Sequence, residues 1–98
     1  MKNKICLITG ATSGIGRAAA LKLAKIGASL ILLSRNNKKG EKICSQIRKK
    51  NKNAQVNFYR VDISSIKEVR NISKRIVADF DHIDVLINNA IGMELIGL

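Results

Sequence analysis

Leu7-Ile8-Thr9-Gly10-Ala11-Thr12-Ser13-Gly14-Ile15-Gly16-Arg17 joins a short apolar run to an alanine-rich amphipathic segment. Its glycines answer one steric problem: a strand must turn sharply into a helix while a diphosphate lies against bare backbone. Gly10 and Gly14 allow backbone angles and a closeness of approach that a Cβ forbids, and Gly16 lets the first helical turn sit near the strand. The helix start then offers unpaired N–H groups and a partial positive charge to the phosphates. Glycines at such spacing also occur in ordinary loops. This run differs in its setting, with an apolar run before it and a helical period after it, near the start of the chain. It is read as a dinucleotide-binding turn.

Outward from the turn, strand-like and helix-like segments alternate. Ile5 to Thr9 is a compact apolar run, as a strand buried on both faces requires. Ile15, Ala19, Leu23 and Ile26 fall on one helical stripe, and Gly27 is a candidate helix stop. Leu30 to Leu33 is a second apolar run. Lys38 to Lys50 predicts a polar helix with Ile43, Cys44 and Ile47 on its buried side, then a loop at Asn51 to Asn53. Val56 to Ile63 carries the strand formers Val56, Phe58, Tyr59 and Val61. Ser64 or Ser65 can cap a helix with apolar positions Ile66, Val69, Ile72, Ile76, Val77 and Phe80, and Ile83 to Ile87 predicts a last strand. Such alternation implies a parallel sheet with helices on its faces. The fold class is α/β: a Rossmann-like, doubly wound parallel sheet of about four strands, order 3-2-1-4, with three helices. Two helices would cover one face and the third the other. The last strand would be an open edge, available to a second copy or a complementing chain, and the domain marginal alone.

Composition bounds the rest. Ninety-eight residues, 46% of them apolar, make one small globular domain or part of one. Cys6 and Cys44 lie in different predicted elements, and no secretory signal precedes them, so a reduced interior is expected rather than a disulfide scaffold. No segment approaches the roughly 20 apolar residues that span a bilayer. The chain is expected to be soluble and cytoplasmic. Eighteen Lys and Arg against seven Asp and Glu give a net charge of +11, which in some proteins marks nucleic-acid or acidic-membrane binding. Here Lys38, Lys39, Lys42, Arg48, Lys49, Lys50 and Lys52 gather on and after one helix, as on a solvated face. Phe58, Tyr59 and Phe80 are the only aromatics, few platforms for stacking bases. No metal-ligand spacing or helix-turn-helix pattern occurs. The charge is read as attraction for an anionic cofactor on a lysine-rich background.

The end of the second strand reads Leu33-Ser34-Arg35-Asn36. An acidic residue near this point grips the ribose 2′-hydroxyl of NAD, and none is present. A carboxylate would repel the 2′-phosphate of NADP, whereas Arg35 can pair with it in a fork, with Lys38 and Lys39 adding positive potential. The rival assignment is a plain surface arginine. Beside the glycine turn, NADP(H) is expected over NAD(H).

Three motifs in order carry a resemblance. Thr9-Gly10-Ala11-Thr12-Ser13-Gly14-Ile15-Gly16 resembles the TGxxxGxG turn of the short-chain dehydrogenase/reductase family, Val61-Asp62-Ile63 its acidic position after the third strand, and Ile87-Asn88-Asn89-Ala90 its NNAG motif. The run from Ser34 to Glu41 is most similar to retinol-dehydrogenase-like, NADP-preferring members. The resemblance extends to about residue 90 and identifies residues 1–98 as a partial NAD(P)-binding Rossmann domain with an atypical tail. It implies that Gly10, Ser13, Gly14, Ile15 and Gly16 line the diphosphate and neighbouring ribose, and that Arg35 holds the 2′-phosphate. Asp62 would accept from the adenine amino group beside the backbone of Ile63. Asn88, Asn89 and Ala90 would pin the fourth strand and border the cofactor. Asp62 could instead cap the following turn with Ser64, and the asparagines could form a strand-end turn. One departure stands out: Ile91 replaces the family's glycine, with Gly92 displaced by one residue.

The resemblance also implies hydride transfer between nicotinamide and a carbonyl or alcohol. A tyrosine would act as general acid/base, a lysine four residues on would lower its pKa, and a serine would orient the substrate oxygen. Tyr59 is the sole tyrosine, and Ile63 stands four residues later. His82 is alone and read as a turn residue. The expectation is a cofactor-binding N-terminal portion that is inactive by itself. The alternatives are an oxidoreductase completed by a second polypeptide, a non-catalytic nucleotide-binding module and, less favoured, a nucleic-acid binder.

Overall fold

In a computed structural model that describes residues 2–12 and 14–88, the first apolar run becomes β1 (Ile5–Thr9). It is followed by α1 (Gly14–Lys25), β2 (Ser29–Ser34), α2 (Asn37–Lys50), β3 (Val56–Arg60), α3 (Ile66–Asp79) and β4 (Val85–Asn88). Every strand pair is parallel and the order is β3-β2-β1-β4, the doubly wound arrangement the alternation predicts. Side chains alternate across a sheet. Cys6, Ile8, Leu30 and Leu32 therefore meet Ala20, Ala24, Ile43, Cys44 and Ile47 from α1 and α2 on one face. Leu7, Ile31 and Leu33 meet Val69, Ile72 and Ile76 of α3 on the other. Burial on both faces is why β1 and β2 are unbroken apolar runs.

The helices correct two predicted stripes. The buried face of α1 is Gly16, Ala20 and Ala24, whereas Ile15 and Ile26 are 79% and 50% exposed. Small side chains one turn apart bring the helix axis close to the sheet, and bulkier neighbours are turned to the rim; Leu23 still packs against the core. On α3, Val69, Ile72, Ser73 and Ile76 are buried, while Ile66 and Val77 are exposed. Gly27 ends α1 as expected. It adopts φ +94, its N–H reaches the Ala24 carbonyl at 3.1 Å, and Ala28 N–H reaches Leu23 at 3.0 Å, a Schellman closure. β3 is shorter than its predicted run: a last ladder bond runs from Val61 N–H to the Ser34 carbonyl at 3.0 Å, and the chain then turns at Asp62, whose Oδ1 accepts from Ser64 N–H at 3.0 Å. β4 starts at Val85, two residues later than expected.

Gly40 has a role that spacing alone does not reveal. A Cβ added there would lie 2.2 Å from the Phe58 ring, so α2 sits on β3 through a bare backbone. Gly40→Ala should gain about 1 kcal/mol of helix propensity and lose about 1–3 kcal/mol through overpacking. The expected net result is a lower midpoint in thermal unfolding, recovered when Phe58→Leu is added.

Asp84 ties β4 to β1. Its Oδ2 accepts from Ile5 N–H at 2.8 Å, its own N–H donates to the Ile5 carbonyl at 2.9 Å, and His82 Nε2 lies 3.1 Å from Oδ2. The Ile5 N–H, assisted by His82 and Lys4, holds the Asp84 carboxyl below its ordinary value. A depressed carboxylate stabilises the fold above the unfolded value, about 3.9, and that contribution is lost as pH falls through the lower folded value. Asp84→Asn should flatten the acid limb of the stability profile, read from denaturant unfolding at a series of acidic pH values.

Candidate functional site

The carboxyl ends of the strands converge on one rim, beside the point where the order reverses between β1 and β4. In open α/β sheets ligands bind at such a crevice. Gly10 and Gly14 adopt φ +62 and +57, the left-handed region that favours glycine. Gly10 N–H donates to the Leu33 carbonyl at 3.1 Å, which locks the turn onto β2. Thr12 and Ser34 hydroxyls meet at 3.2 Å across the same gap. Nothing lies within 4 Å of a Cβ placed on Gly14, so the space above the turn is open. Gly16 is buried against the core and Ile15 faces solvent. Ser13 lies outside the described residues.

Arg35 follows the last residue of β2 and is exposed. Its guanidinium makes no hydrogen bond or ion pair among the described residues. Asn36 caps α2, its side chain accepting from Lys39 N–H at 3.0 Å. Neither α1 nor α2 has an acidic residue in its first turn. Instead Lys38 and Lys39 stand where the helix dipole is already positive, an arrangement that costs stability without an anion nearby. Next to the turn, Arg17, Lys39 and Lys42 line a cleft of about 260 Å³ with Thr12 and Gln46, and Arg17 donates to Gln46 Oε1 at 2.9 Å.

Asp62 joins the rim from β3. Its Oδ1 accepts from Ser64 N–H at 3.0 Å and from Ser64 Oγ at 2.6 Å. These two bonds, with the charges of Arg35 and Arg60 behind them, hold its carboxyl below the usual range. The capping alternative for Asp62 is thus present in the fold, but both bonds fall on one oxygen. Ser65, not Ser64, caps α3 by accepting from Glu68 N–H at 3.2 Å. Glu68 Oε1 in turn accepts from Asp62 N–H at 3.2 Å and from Arg60 at 3.0 Å. The Ser-x-x-Glu spacing of a capping box is the signal that singles out Ser65. Ile63 packs on the α3 side of the sheet.

Asn88 ends β4 opposite Thr9, and its Oδ1 accepts from the buried Thr9 hydroxyl at 2.9 Å. Asn89, Ala90 and Ile91 lie outside the described residues. Tyr59 is on β3 as predicted, and its hydroxyl donates to Asp79 Oδ2 at 2.8 Å. Arg75 lies 5.2 Å from its ring centre. Burial, then the bond to Asp79, raises its pKa, the opposite of what a general acid/base needs. His82 sits at the far end of the sheet with Asp84. Among the described residues no cluster suits a metal ion, and no helix is long and apolar enough to cross a membrane.

A parallel sheet wound in this order, with a left-handed glycine turn at its switch point, defines a Rossmann-like nucleotide-binding architecture. Residues 4–96 match the short chain dehydrogenase family, and the chain belongs to it. It is 37% identical over 90 residues to retinol dehydrogenase 13 of Mus musculus, covering 92% of this chain and 27% of the relative. Retinol dehydrogenase 12 of the same species is 40% identical over 87 residues, or 89% of this chain and 28% of the relative. A short chain dehydrogenase of Shigella flexneri 2a str. 301, solved in complex with NADP, superposes with a TM-score of 0.85 at 33% identity. That match covers 92% of this chain and 38% of the solved one. The chain thus spans about a quarter of the length of these curated relatives.

Proposed function

We propose that this chain is the NADP(H)-binding N-terminal portion of a short-chain dehydrogenase/reductase. The single observation that carries this is an exposed Arg35 at the carboxyl end of β2 that makes no hydrogen bond or ion pair among the described residues, beside a glycine turn with open space above it. The residues present fit the cofactor. The turn from Gly10 to Gly16, with Ser13, would border the diphosphate, whose charge offsets the repulsion among Lys38, Lys39 and the helix starts. Arg35 would fork onto the 2′-phosphate. The second oxygen of Asp62, with the Ile63 backbone, would receive the adenine amino group, and Asn88, Asn89 and Ala90 would border the nicotinamide side. The NADP held by the Shigella flexneri structure supports the cofactor choice, and the retinol dehydrogenases support an alcohol–carbonyl pair as substrate class. When bound, the cofactor supplies or accepts a hydride. The chain's own part is to orient it, and the proton-transfer group comes from outside these residues.

Calorimetry tests the cofactor assignment. NADPH should bind more tightly than NADH, and Arg35→Asp should reverse the order. A charge-assisted contact is worth about 1.5–3 kcal/mol, or roughly ten- to a hundredfold. Equal affinity of the unsubstituted chain for both cofactors would overturn the assignment.

Among the described residues β4 ends the sheet with no further strand beside it, which favours a second arrangement in which another polypeptide extends the sheet and completes an active oxidoreductase. Co-purification with a chain bearing Tyr-x-x-x-Lys, accompanied by turnover, would distinguish it.

A further inference from the structure

Parallel register aligns the starts of β1, β2 and β3, with Ile5 opposite Ser29 and Leu30 opposite Val56. The last turns of α1 and α2 end at that same side, opposite the glycine turn. There a cleft of about 590 Å³ is lined by Lys2, Lys25 and Lys52, with Asn3, Asn51 and the half-exposed Ile26 among their neighbours. Lys22, Lys49 and Lys50 flank it, exposed, in the closing turns of the two helices. No carboxylate occurs in α1, and the one in α2, Glu41, lies toward the other end. Asp84 is held by Ile5 and His82 on the β4 side and Asp79 by Tyr59 on the α3 side, and the exposed Asp81 lies between them in the α3–β4 loop, outside the lining of the cleft. Lysines closing a helix offset its dipole, which accounts for those in α1 and α2. Lys2, packed against Gly27, and Lys52, next to the α2 cap Asn51, add two further charges beside the same helix ends.

We infer that this end of the sheet docks on an anionic phospholipid surface. The cations are lysines, hydrated point charges suited to a diffuse anionic plane, whereas base recognition favours arginine forks. The arginine here, Arg48, donates to the Val56 carbonyl at 2.9 Å. None of the three aromatics lines the cleft, so bases would find nothing to stack on. Ile26, between Lys25 and Gly27, supplies the apolar contact that interfacial binding adds to charge. Docked this way, the rim carrying the glycine turn and Arg35 faces away from the membrane. The inference is independent of the cofactor assignment.

Cosedimentation with vesicles tests it. The chain should sediment with equal parts phosphatidylserine and phosphatidylcholine, not with phosphatidylcholine alone, and should dissociate as salt is raised. Each lysine near an anionic surface contributes about fivefold, so Lys2→Glu/Lys25→Glu/Lys52→Glu should weaken binding at least about a hundredfold. Lys67→Glu/Arg70→Glu/Lys74→Glu makes the same charge change on α3 and should retain most of the binding. Equal loss in both triples, no dependence on phosphatidylserine, or tighter binding to duplex DNA or single-stranded RNA at the same salt would overturn the inference. Amine acetylation of the unsubstituted chain gives a check that needs no variant. Phosphatidylserine vesicles should protect Lys2, Lys25 and Lys52 while Lys67 and Lys74 stay reactive, and uniform reactivity would reject the surface.

Discussion

No hydride transfer is expected when the purified 98-residue chain meets NADPH and a panel of aldehydes, ketones and alcohols. The glycine turn can fix one reactant, but among the described residues no tyrosine with a lysine four residues on stands near it to give a carbonyl its proton. Loss of general acid–base help alone costs about 10²–10⁴-fold, and loss of substrate positioning removes further orders of magnitude. Tyr59 cannot stand in. Its hydroxyl is committed to Asp79, burial and that bond raise its pKa, and the residue four places on is Ile63. The check is reduced-nicotinamide absorbance over time, with Tyr59→Phe alongside. Substrate-dependent oxidation that survives rigorous purification would refute the expectation, and its loss in Tyr59→Phe would assign catalysis to β3.

The second large effect lies at Gly14. Gly14→Val should abolish NADPH binding, a drop of more than about a hundredfold, because two or more charge-assisted contacts of about 1.5–3 kcal/mol each depend on bare backbone there. Room is not the obstacle in the protein alone, since nothing lies within 4 Å of an added Cβ. The side chain would fill the volume a diphosphate needs. At φ +57 it also costs about 1–2 kcal/mol of backbone strain, so Gly14→Ala, with less bulk, should be measured in parallel. Both variants should lose NADPH and NADH together, unlike Arg35→Asp, which separates them. A folded Gly14→Val protein with undiminished affinity for NADPH would move the site elsewhere.

Local patterns carried most of the architecture. Unbroken apolar runs at Ile5–Thr9 and Leu30–Leu33, separated by helical periods and stopped at Gly27, are properties of neighbouring residues. A parallel, doubly wound sheet is the arrangement that buries such runs on both faces. The glycine turn and the basic end of β2 were legible for the same reason: each is a steric or electrostatic demand met within a few consecutive residues. Packing distance was not legible. Periodicity marks which positions of α1 share a face, but whether Ile15 and Ile26 or Gly16, Ala20 and Ala24 meet the sheet depends on how closely the helix approaches. That is set by the opposing strands, and the small residues won. Contacts far apart in the chain were equally silent in the sequence. Gly40 is bare because the Phe58 ring lies against it, Thr9 holds Asn88 across 79 positions, and Asp84 accepts from Ile5. Neighbouring residues alone are enough to set the order of elements, the left-handed turn and the sign of the charge beside it. Which helix faces are buried, how Asp62 is engaged and which lysines share a surface depend on interatomic distances that exist only once the layers have closed on the sheet.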